Sequence, residues 1–176
     1  MRTKDNFLES NKSHYQDLYQ SGKLFVQYPM DHVIRFHAYH LQYSMPKGKV
    51  LDYGCGSGNN SAFFIQKGYD VYGVDVAEES LSQIKSNFEM YSLPLEHLQK
   101  FQIIDPAADV LPFEDHSFDI ILSNQVLYYL ATEESIRNRC KELARCLRPG
   151  GLVFFTMIGV RNYYFTHHMK QIHNGE

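Results

Sequence analysis

Cysteine is scarce in this sequence, and its shortage argues against two common ways of stabilising a small protein. The chain has three cysteines among its 176 residues, namely Cys55, Cys140 and Cys146. An odd number, with no two at the spacing of metal ligands, argues against a disulfide framework and against a zinc site. We therefore expect reduced thiols and no bound metal.

The sequence also lacks an excess of basic charge, a long apolar run and a secretory signal. Its formal net charge is −3, whereas a nucleic-acid-binding domain usually shows a clustered basic face. Polar residues interrupt the apolar segments before they reach the ~20 residues of a membrane-spanning helix. Residues 1–16 have no apolar core like that of a signal peptide. These shortages predict a cytoplasmic protein with neither nucleic acid nor a membrane as a partner.

From residue 49 onward, short apolar runs alternate with segments of helical spacing. Strands are predicted at 49–53, 70–75, 101–104, 118–124 and 152–158, and helices at 59–68, 78–91 and 132–147. Strands that alternate with helices in this way predict a parallel sheet covered on both faces. The expected fold class is therefore α/β, with a doubly wound parallel sheet.

Two more helices, at 5–20 and 30–41, precede the first strand. We expect a single domain in which residues 1–45 form an N-terminal helical cap and residues 46–176 form the core. The buried face of the helix at 30–41 is predicted to comprise Met30, Val33, Ile34, His37 and Leu41. That of the helix at 132–147 is predicted to comprise Ile136, Cys140, Leu143, Ala144 and Leu147.

The segment VLDYGCGSG, residues 50–58, places three alternating glycines directly after the first strand: Gly54, Gly56 and Gly58. In an open parallel sheet, ligands bind at the carboxyl ends of the strands, and glycines there let a ligand approach the main chain. Asn59 occupies the place of the third glycine of the dinucleotide pattern G-x-G-x-x-G, and the phosphate-loop pattern is absent. The loop therefore favours a nucleoside ligand without a diphosphate.

Asp75 ends the second predicted strand, 17 residues after Gly58. A carboxylate at this position can accept hydrogen bonds from the hydroxyls of a ribose. An aspartate at a strand end can also serve only as a helix cap. The glycine loop in register with Asp75 favours the ribose interpretation.

Four segments, in this order and at these spacings, resemble the class I S-adenosylmethionine-dependent methyltransferases of the bacterial small-molecule type. The segments are residues 50–58, 71–75, 111–130 and 143–155, within a resemblance that covers about 47–158. It implies a Rossmann-like core with strand order 3-2-1-4-5. The antiparallel strand pair that usually ends this fold has no counterpart after residue 158, so the chain is expected to be shortened there.

The resemblance also implies a cofactor, S-adenosylmethionine, with S-adenosylhomocysteine as its product. Gly54, Gly56 and Gly58 would line its methionine and ribose parts. Asp52 would order the loop or, through water, face the amino group. Asp75 would hold the ribose hydroxyls, beside the neighbouring Val76.

Three further residues receive roles around the ends of the same cofactor. Asp105 resembles the acid near the adenine amino group, with Asp109 or the main chain at Ala107 as alternatives. The main chain at Asn124 would receive the ammonium. Arg35 would grip the carboxylate, because nothing in the glycine loop supplies a cation and arginine binds carboxylates with two hydrogen bonds. A place on the solvated face of its helix is the alternative for Arg35.

The resulting prediction is methyl transfer to a small-molecule acceptor. Amino-methylating relatives that act on DNA bases carry an Asn/Asp-Pro-Pro-aromatic motif after the fourth strand, where this chain has SNQV, residues 123–126. The catalytic base is not identified. A non-catalytic binding module with the same fold remains an alternative, and the glycine spacing disfavours a nicotinamide-dependent oxidoreductase. The apolar edge of the fifth strand predicts cover by a terminal helix or by a second copy of the chain.

Overall fold

The computed structural model describes residues 4–21 and 28–159. Its centre is a five-stranded sheet in the order β3-β2-β1-β4-β5, and every strand pair is parallel. The strands are β1 (Lys49–Tyr53), β2 (Asp70–Asp75), β3 (Phe101–Ile103), β4 (Phe118–Asn124) and β5 (Leu147–Thr156). The predicted fold class and strand order are therefore confirmed. The segment expected to form a terminal helix, residues 160–176, lies outside the described residues.

Five α-helices accompany the sheet in the described part of the chain. They are α1 (Lys4–Gln20), α2 (Asp31–Phe36), α3 (Asn59–Gln66), α4 (Glu79–Met90) and α5 (Glu133–Cys146). Short 3-10 turns span Leu95–Lys100 and Leu127–Tyr129, and a π-helical turn spans His37–Leu41. None of the helices described in residues 4–21 and 28–159 combines the length and hydropathy needed to cross a bilayer.

Two apolar clusters form the core, one on each face of the sheet. Neighbouring residues of β1 point to opposite faces, so Val50 belongs to one cluster and Leu51 to the other. In the same way Ile120 and Ile121 of β4 divide between the clusters. Because both faces are covered, the strands read as continuous apolar runs.

The cap helix at 30–41 buries a different face from the predicted one. Val33, His37 and Leu41 are buried as expected, but Ile34 is 39% exposed and Phe36 is buried in its place. The Phe36 ring stacks on Phe154, with the ring centroids 4.8 Å apart. A π-helical turn begins at His37, and its wider winding lets Phe36 and the adjacent His37 both face the core.

The inward face of α5 is partly polar, which the apolar spacing did not predict. Leu143 is buried as expected, whereas Cys140 is exposed and Arg139 and Glu142 are buried. A further departure is the exposed Ala144. The polar side chains serve the long loop between β3 and β4, because buried main-chain groups need hydrogen-bond partners.

Two hydrogen bonds show how α5 holds that loop. The Glu142 carboxylate accepts the main-chain N–H of Leu111 at 2.6 Å. The Arg139 guanidinium donates to the carbonyl of Ala108 at 2.6 Å. The loop that borders the carboxyl edge of the sheet is thereby tied to the helix behind it.

Strand β5 forms an edge of the sheet and exposes apolar side chains. It begins at Leu147, earlier than predicted, and its pairing with β4 is irregular between Phe118 and Ile120. Beyond this irregularity, Val153 and Phe155 are among its exposed large apolar residues, and Met157 follows just after the strand. The expectation of a second copy or a terminal helix over this edge stays a prediction.

The N-cap of α5 provides a direct test of the fold. The Thr132 hydroxyl accepts the main-chain N–H of Ser135 at 3.0 Å. We expect Thr132→Ala to lower the free energy of unfolding by about 1 kcal/mol, measured by urea denaturation. Thr132→Ser keeps the hydroxyl and should retain most of this stability, so an equal loss in both variants would contradict the capping role.

Candidate functional site

A cleft of about 260 Å³ opens at the carboxyl ends of the parallel strands. Tyr53, Asp75 and Asn124 reach it from the ends of β1, β2 and β4. Apolar side chains of Val76, Ile104 and other residues line the part near β2 and β3. The position agrees with the general rule that open parallel sheets bind ligands at this edge.

The glycine loop, residues 54–58, forms the floor of the cleft. Gly54, Gly56 and Gly58 have φ values of 75°, 53° and 75°, in the left-handed region that favours glycine. A Cβ on Gly54 would lie 2.3 Å from Cγ2 of Val126. Gly58 packs against Ile84 and does not line the cleft. Two of the three glycines are therefore also required by packing within the protein.

The Asp75 carboxylate lies in the cleft and organises the loop around it. Its Oδ2 accepts the N–H of Gly56 at 2.8 Å, and its Oδ1 accepts the N–H groups of Val76 at 2.8 Å and Ala77 at 3.0 Å. Asp75 therefore holds the turn before α4, whose N-cap is Glu78, and its contact with a ribose stays a prediction. Since a carboxylate oxygen accepts about two hydrogen bonds, Oδ1 is filled and Oδ2 has room for one more.

Asp75 is ionisable in a partly desolvated position. Burial raises the pKa of its carboxyl group, and the hydrogen bonds from the three main-chain N–H groups oppose that rise. These three N–H groups donate to the ionised Asp75 carboxylate and so stabilise its charged form. The group is therefore poised to accept a further donor from a ligand.

Asp52 lies beneath the loop rather than in the cleft. Its side chain is 1% exposed and accepts the Ser61 hydroxyl at 2.6 Å. Ser61 belongs to α3, so the bond ties β1 to the helix that follows the glycine loop. Of the two roles expected for Asp52, this geometry corresponds to ordering the loop.

Of the four remaining predicted residues, the structure brings two to the cleft and leaves Arg35 and Asp105 outside it. Val76 and Asn124 line it. Arg35 pairs instead with Asp31, its Nε 3.0 Å from Oδ2, and its side chain is 68% exposed. This is the solvated-face alternative, which follows because the inward positions of the helix are taken by other residues.

Asp105 is directed into its own turn. Its carboxylate accepts the N–H of Ala107 at 2.8 Å, and the residue is exposed. Its neighbours Ile104 and Pro106 line the cleft, while Asp109 lines a separate small cavity beside Arg139. The short β3, which ends at Ile103, moves the acid one residue further beyond the strand than predicted.

The cap contributes cleft residues that sequence reasoning missed. Asn11 and Lys12 of α1 line the cleft, as does Met30. The Asn11 amide donates to the carbonyl of Tyr129 at 3.1 Å, which attaches α1 to the loop after β4. No local pattern marks these residues, because their position depends on where the helix crosses the sheet.

Two asparagines at the start of α3 hold the segment before α2. The Asn59 amide donates to the carbonyl of Tyr28 at 2.7 Å, and Asn60 Oδ1 accepts the N–H of Met30 at 3.0 Å. The sequence did mark one of these residues, because Asn59 stands where the dinucleotide pattern has glycine. Its side chain, which glycine would lack, binds the cap at Tyr28.

A family model described as a methyltransferase domain matches residues 51–155. The chain belongs to the class I S-adenosylmethionine-dependent methyltransferases. The matched range begins in β1, includes the glycine loop and Asp75, and ends in β5. The residues that build the cleft floor are thus those that carry the family resemblance.

Individual methyltransferases are similar over the same core. The ubiquinone biosynthesis O-methyltransferase of Idiomarina loihiensis is 33% identical over 112 residues, which are 62% of this chain and 42% of that enzyme. Methyltransferase GfsG of Streptomyces halstedii is 34% identical over 114 residues, 64% of this chain and 38% of that protein. This chain spans less than half the length of these two curated relatives.

A solved methyltransferase structure has a similar fold. The crystal structure of a SAM-dependent methyltransferase from Methanosarcina mazei is 26% identical, with a TM-score of 0.61, over 75% of this chain and 62% of that one. The similarities to methyltransferases give no support to the nicotinamide-dependent oxidoreductase considered from the sequence.

The buried Asp52 of this methyltransferase core predicts a pH-dependent stability. Burial raises the pKa of Asp52 from 3.8 to about 6; the Ser61 hydrogen bond opposes this rise, and the charge of Asp75 adds to it. The folded protein therefore keeps a proton that the unfolded chain has released. The free energy of unfolding should fall by about 3 kcal/mol from this group as the pH rises from about 4 to about 7.

Asp52→Asn should remove that part of the pH dependence, which urea denaturation at several pH values can measure. Ser61→Ala removes a hydrogen bond that favours the ionised carboxylate, so it should move the midpoint of the change to higher pH. A difference between wild type and Asp52→Asn that does not vary with pH would contradict the raised pKa.

Proposed function

We propose that this chain binds S-adenosylmethionine in the cleft and transfers its methyl group to a small-molecule acceptor. The observation that carries the proposal is the junction of the glycine loop with Asp75. There the Gly56 N–H meets a carboxylate at the tip of β2, at the carboxyl edge of a sheet with methyltransferase topology. The family assignment supports the same cofactor.

The residues of the cleft fit the parts of this cofactor. Oδ2 of Asp75 has room to accept a ribose hydroxyl, and Val76 and Ile104 offer apolar surface for a planar base. The positive φ at Gly56 brings main chain, without a side chain, to the floor where the methionine part would lie. When bound, the cofactor supplies an electrophilic methyl group on a sulfonium, and the protein supplies position and electrostatics.

The acceptor side of the proposed site is the end of β4. Asn124 Oδ1 lies 2.7 Å from His32 Nε2 and accepts the Thr156 hydroxyl at 2.9 Å. With its oxygen engaged in this way, the Asn124 amide is left with its N–H donors for a ligand. His32, stacked on Phe154, acts here as a positioning residue that orients Asn124.

The proposed acceptor is small because the cap lies over the cleft. Asn11 attaches α1 to Tyr129 on one side, and Asn59 and Asn60 attach the segment before α2 on the other. A polymer such as nucleic acid would have to displace these contacts. The formal net charge of −3 also disfavours it.

Calorimetric titration with S-adenosylhomocysteine tests the cofactor. We expect wild type to bind it and Gly56→Val to lose binding, because a branched side chain resists positive φ and would occupy the cleft floor. Gly68→Val is the matched control: Gly68 also has positive φ, at 85°, but nothing lies near its missing side chain. The control should lower stability and keep affinity.

Equal affinity in Gly56→Val and wild type would contradict the placement of the cofactor. Binding of NAD in place of S-adenosylhomocysteine would contradict the proposed function itself. Mass spectrometry of the denatured protein adds a second measurement, because a cofactor that copurifies would be released.

Asp75→Ala tests the ribose contact. The variant should lose roughly 1.5 to 3 kcal/mol of binding free energy for one charge-assisted hydrogen bond, or about tenfold to 150-fold in affinity. It should also melt at a lower temperature, because three main-chain N–H groups lose their acceptor. A lower melting temperature with unchanged affinity would show that Asp75 only caps the loop.

A further inference from the structure

Charged side chains are rare in the cleft. Among the described residues that line it, only Lys12 and Asp75 carry a charge. Asp75 already accepts three main-chain N–H groups. Lys12 forms no ion pair with any side chain that the structure describes. The cleft therefore presents one cation without a counter-charge in the described part of the chain.

The position of Lys12 is set by contacts on either side of it along α1. The adjacent Asn11 donates to the carbonyl of Tyr129 at 3.1 Å. At the end of the helix, Gln20 Nε2 donates to Glu79 Oε1 at 2.8 Å. These bonds attach α1 to the loop after β4, which borders the cleft, and to the start of α4. Lys12 is itself half-buried between them.

Lys12 lines the cleft and is half-buried, so a ligand in the cleft can place an anionic group beside its ammonium and form a charge-assisted hydrogen bond. The cofactor of the proposed function carries one anionic group, the carboxylate of its methionine part. Arg35, the cation expected from the sequence, is outside the cleft and already paired with Asp31. Lys12 is the cation that remains at the site among the described residues.

We infer that Lys12 binds the carboxylate of the cofactor and makes α1 part of the cofactor site. This inference rests on the proposed function, since the carboxylate belongs to the proposed cofactor. Helix α1 then recognises the ligand as well as covering it. A ligand that lacks the carboxylate should not sense the loss of Lys12.

Calorimetry with two ligands tests the inference on the whole chain. S-adenosylhomocysteine carries the carboxylate, and 5′-methylthioadenosine shares the adenosyl part without it. Lys12→Met keeps the length and helix propensity of the side chain and removes the charge. It should lower affinity for S-adenosylhomocysteine by roughly five- to fiftyfold, since the lost hydrogen bond is charge-assisted but only half-buried. Affinity for 5′-methylthioadenosine should change by less than about twofold.

Two further variants complete the experiment. Lys12→Arg keeps the charge and should retain most of the affinity for S-adenosylhomocysteine. Arg35→Met is the matched control for removal of a cation from the cap, and it should change the affinity for neither ligand. Raising the salt concentration should weaken S-adenosylhomocysteine binding in wild type more than in Lys12→Met.

The outcomes separate the inference from the proposed function. Equal losses for both ligands in Lys12→Met, or no loss for either, would overturn the role of Lys12 and leave the cofactor in place. A selective loss in Arg35→Met, with none in Lys12→Met, would return the role to Arg35. A wild-type protein that binds neither ligand would contradict the proposed function, and the inference would fail with it.

Discussion

The site depends on one set of hydrogen bonds, those that the Asp75 carboxylate accepts from Gly56, Val76 and Ala77. They join the glycine loop to the tip of β2, two segments that are 19 residues apart at Gly56 and Asp75. A short loop with three residues at positive φ has many alternative conformations when free. A carboxylate that accepts N–H groups from both segments selects one of them. The same carboxylate keeps a free acceptor position toward the cleft.

Burial disfavours the charged forms of the two carboxyl groups at the loop, Asp75 and Asp52, and hydrogen bonds to them offset this effect. Burial raises the pKa of both Asp75 and Asp52, and the two carboxyl groups are close enough for the charge of Asp75 to raise the pKa of Asp52 further. Asp75 is provided with three main-chain donors, whereas Asp52 has the Ser61 hydroxyl. The group with more donors is better able to remain charged. The difference is consistent with Asp75 as the ligand acceptor and Asp52 as the internal support of the loop.

Much of the core could be predicted from the sequence because its signals are local. Apolar runs such as FDIILSN identify buried strands, and alternation with helices determines a parallel sheet. The glycine loop and Asp75 could be placed together because both follow strand ends, and parallel strands end at the same edge of the sheet. The resemblance to a known family supplied the order of the strands.

The errors arise where a side chain's direction depends on tertiary contacts. The inward face of α5 includes Arg139 and Glu142, since the loop between β3 and β4 needs partners for its main chain. Apolar periodicity cannot reveal such a need. Arg35 lies on the exposed side of α2 and pairs with Asp31 there, which is the solvated-face alternative. Lys12 was not predicted to line the cleft, because nothing near it in the sequence indicates where α1 crosses the cleft.

The cap is joined to the sheet in two ways. Val33, Phe36 and Leu41 pack into the apolar core, and side-chain-to-main-chain hydrogen bonds attach the cap segments that border the cleft. Asn11, Asn59 and Asn60 each contribute one such bond, from opposite sides of the cleft. A typical intramolecular hydrogen bond contributes roughly 0.5 to 1.5 kcal/mol net, so these three bonds add only a few kcal/mol to the apolar packing of α2. Because Asn59 and Asn60 directly follow the glycine loop, an arrangement that orders the loop also places the side chains that bind Tyr28 and Met30. The glycine loop and the segment before α2 are therefore linked through the first turn of α3.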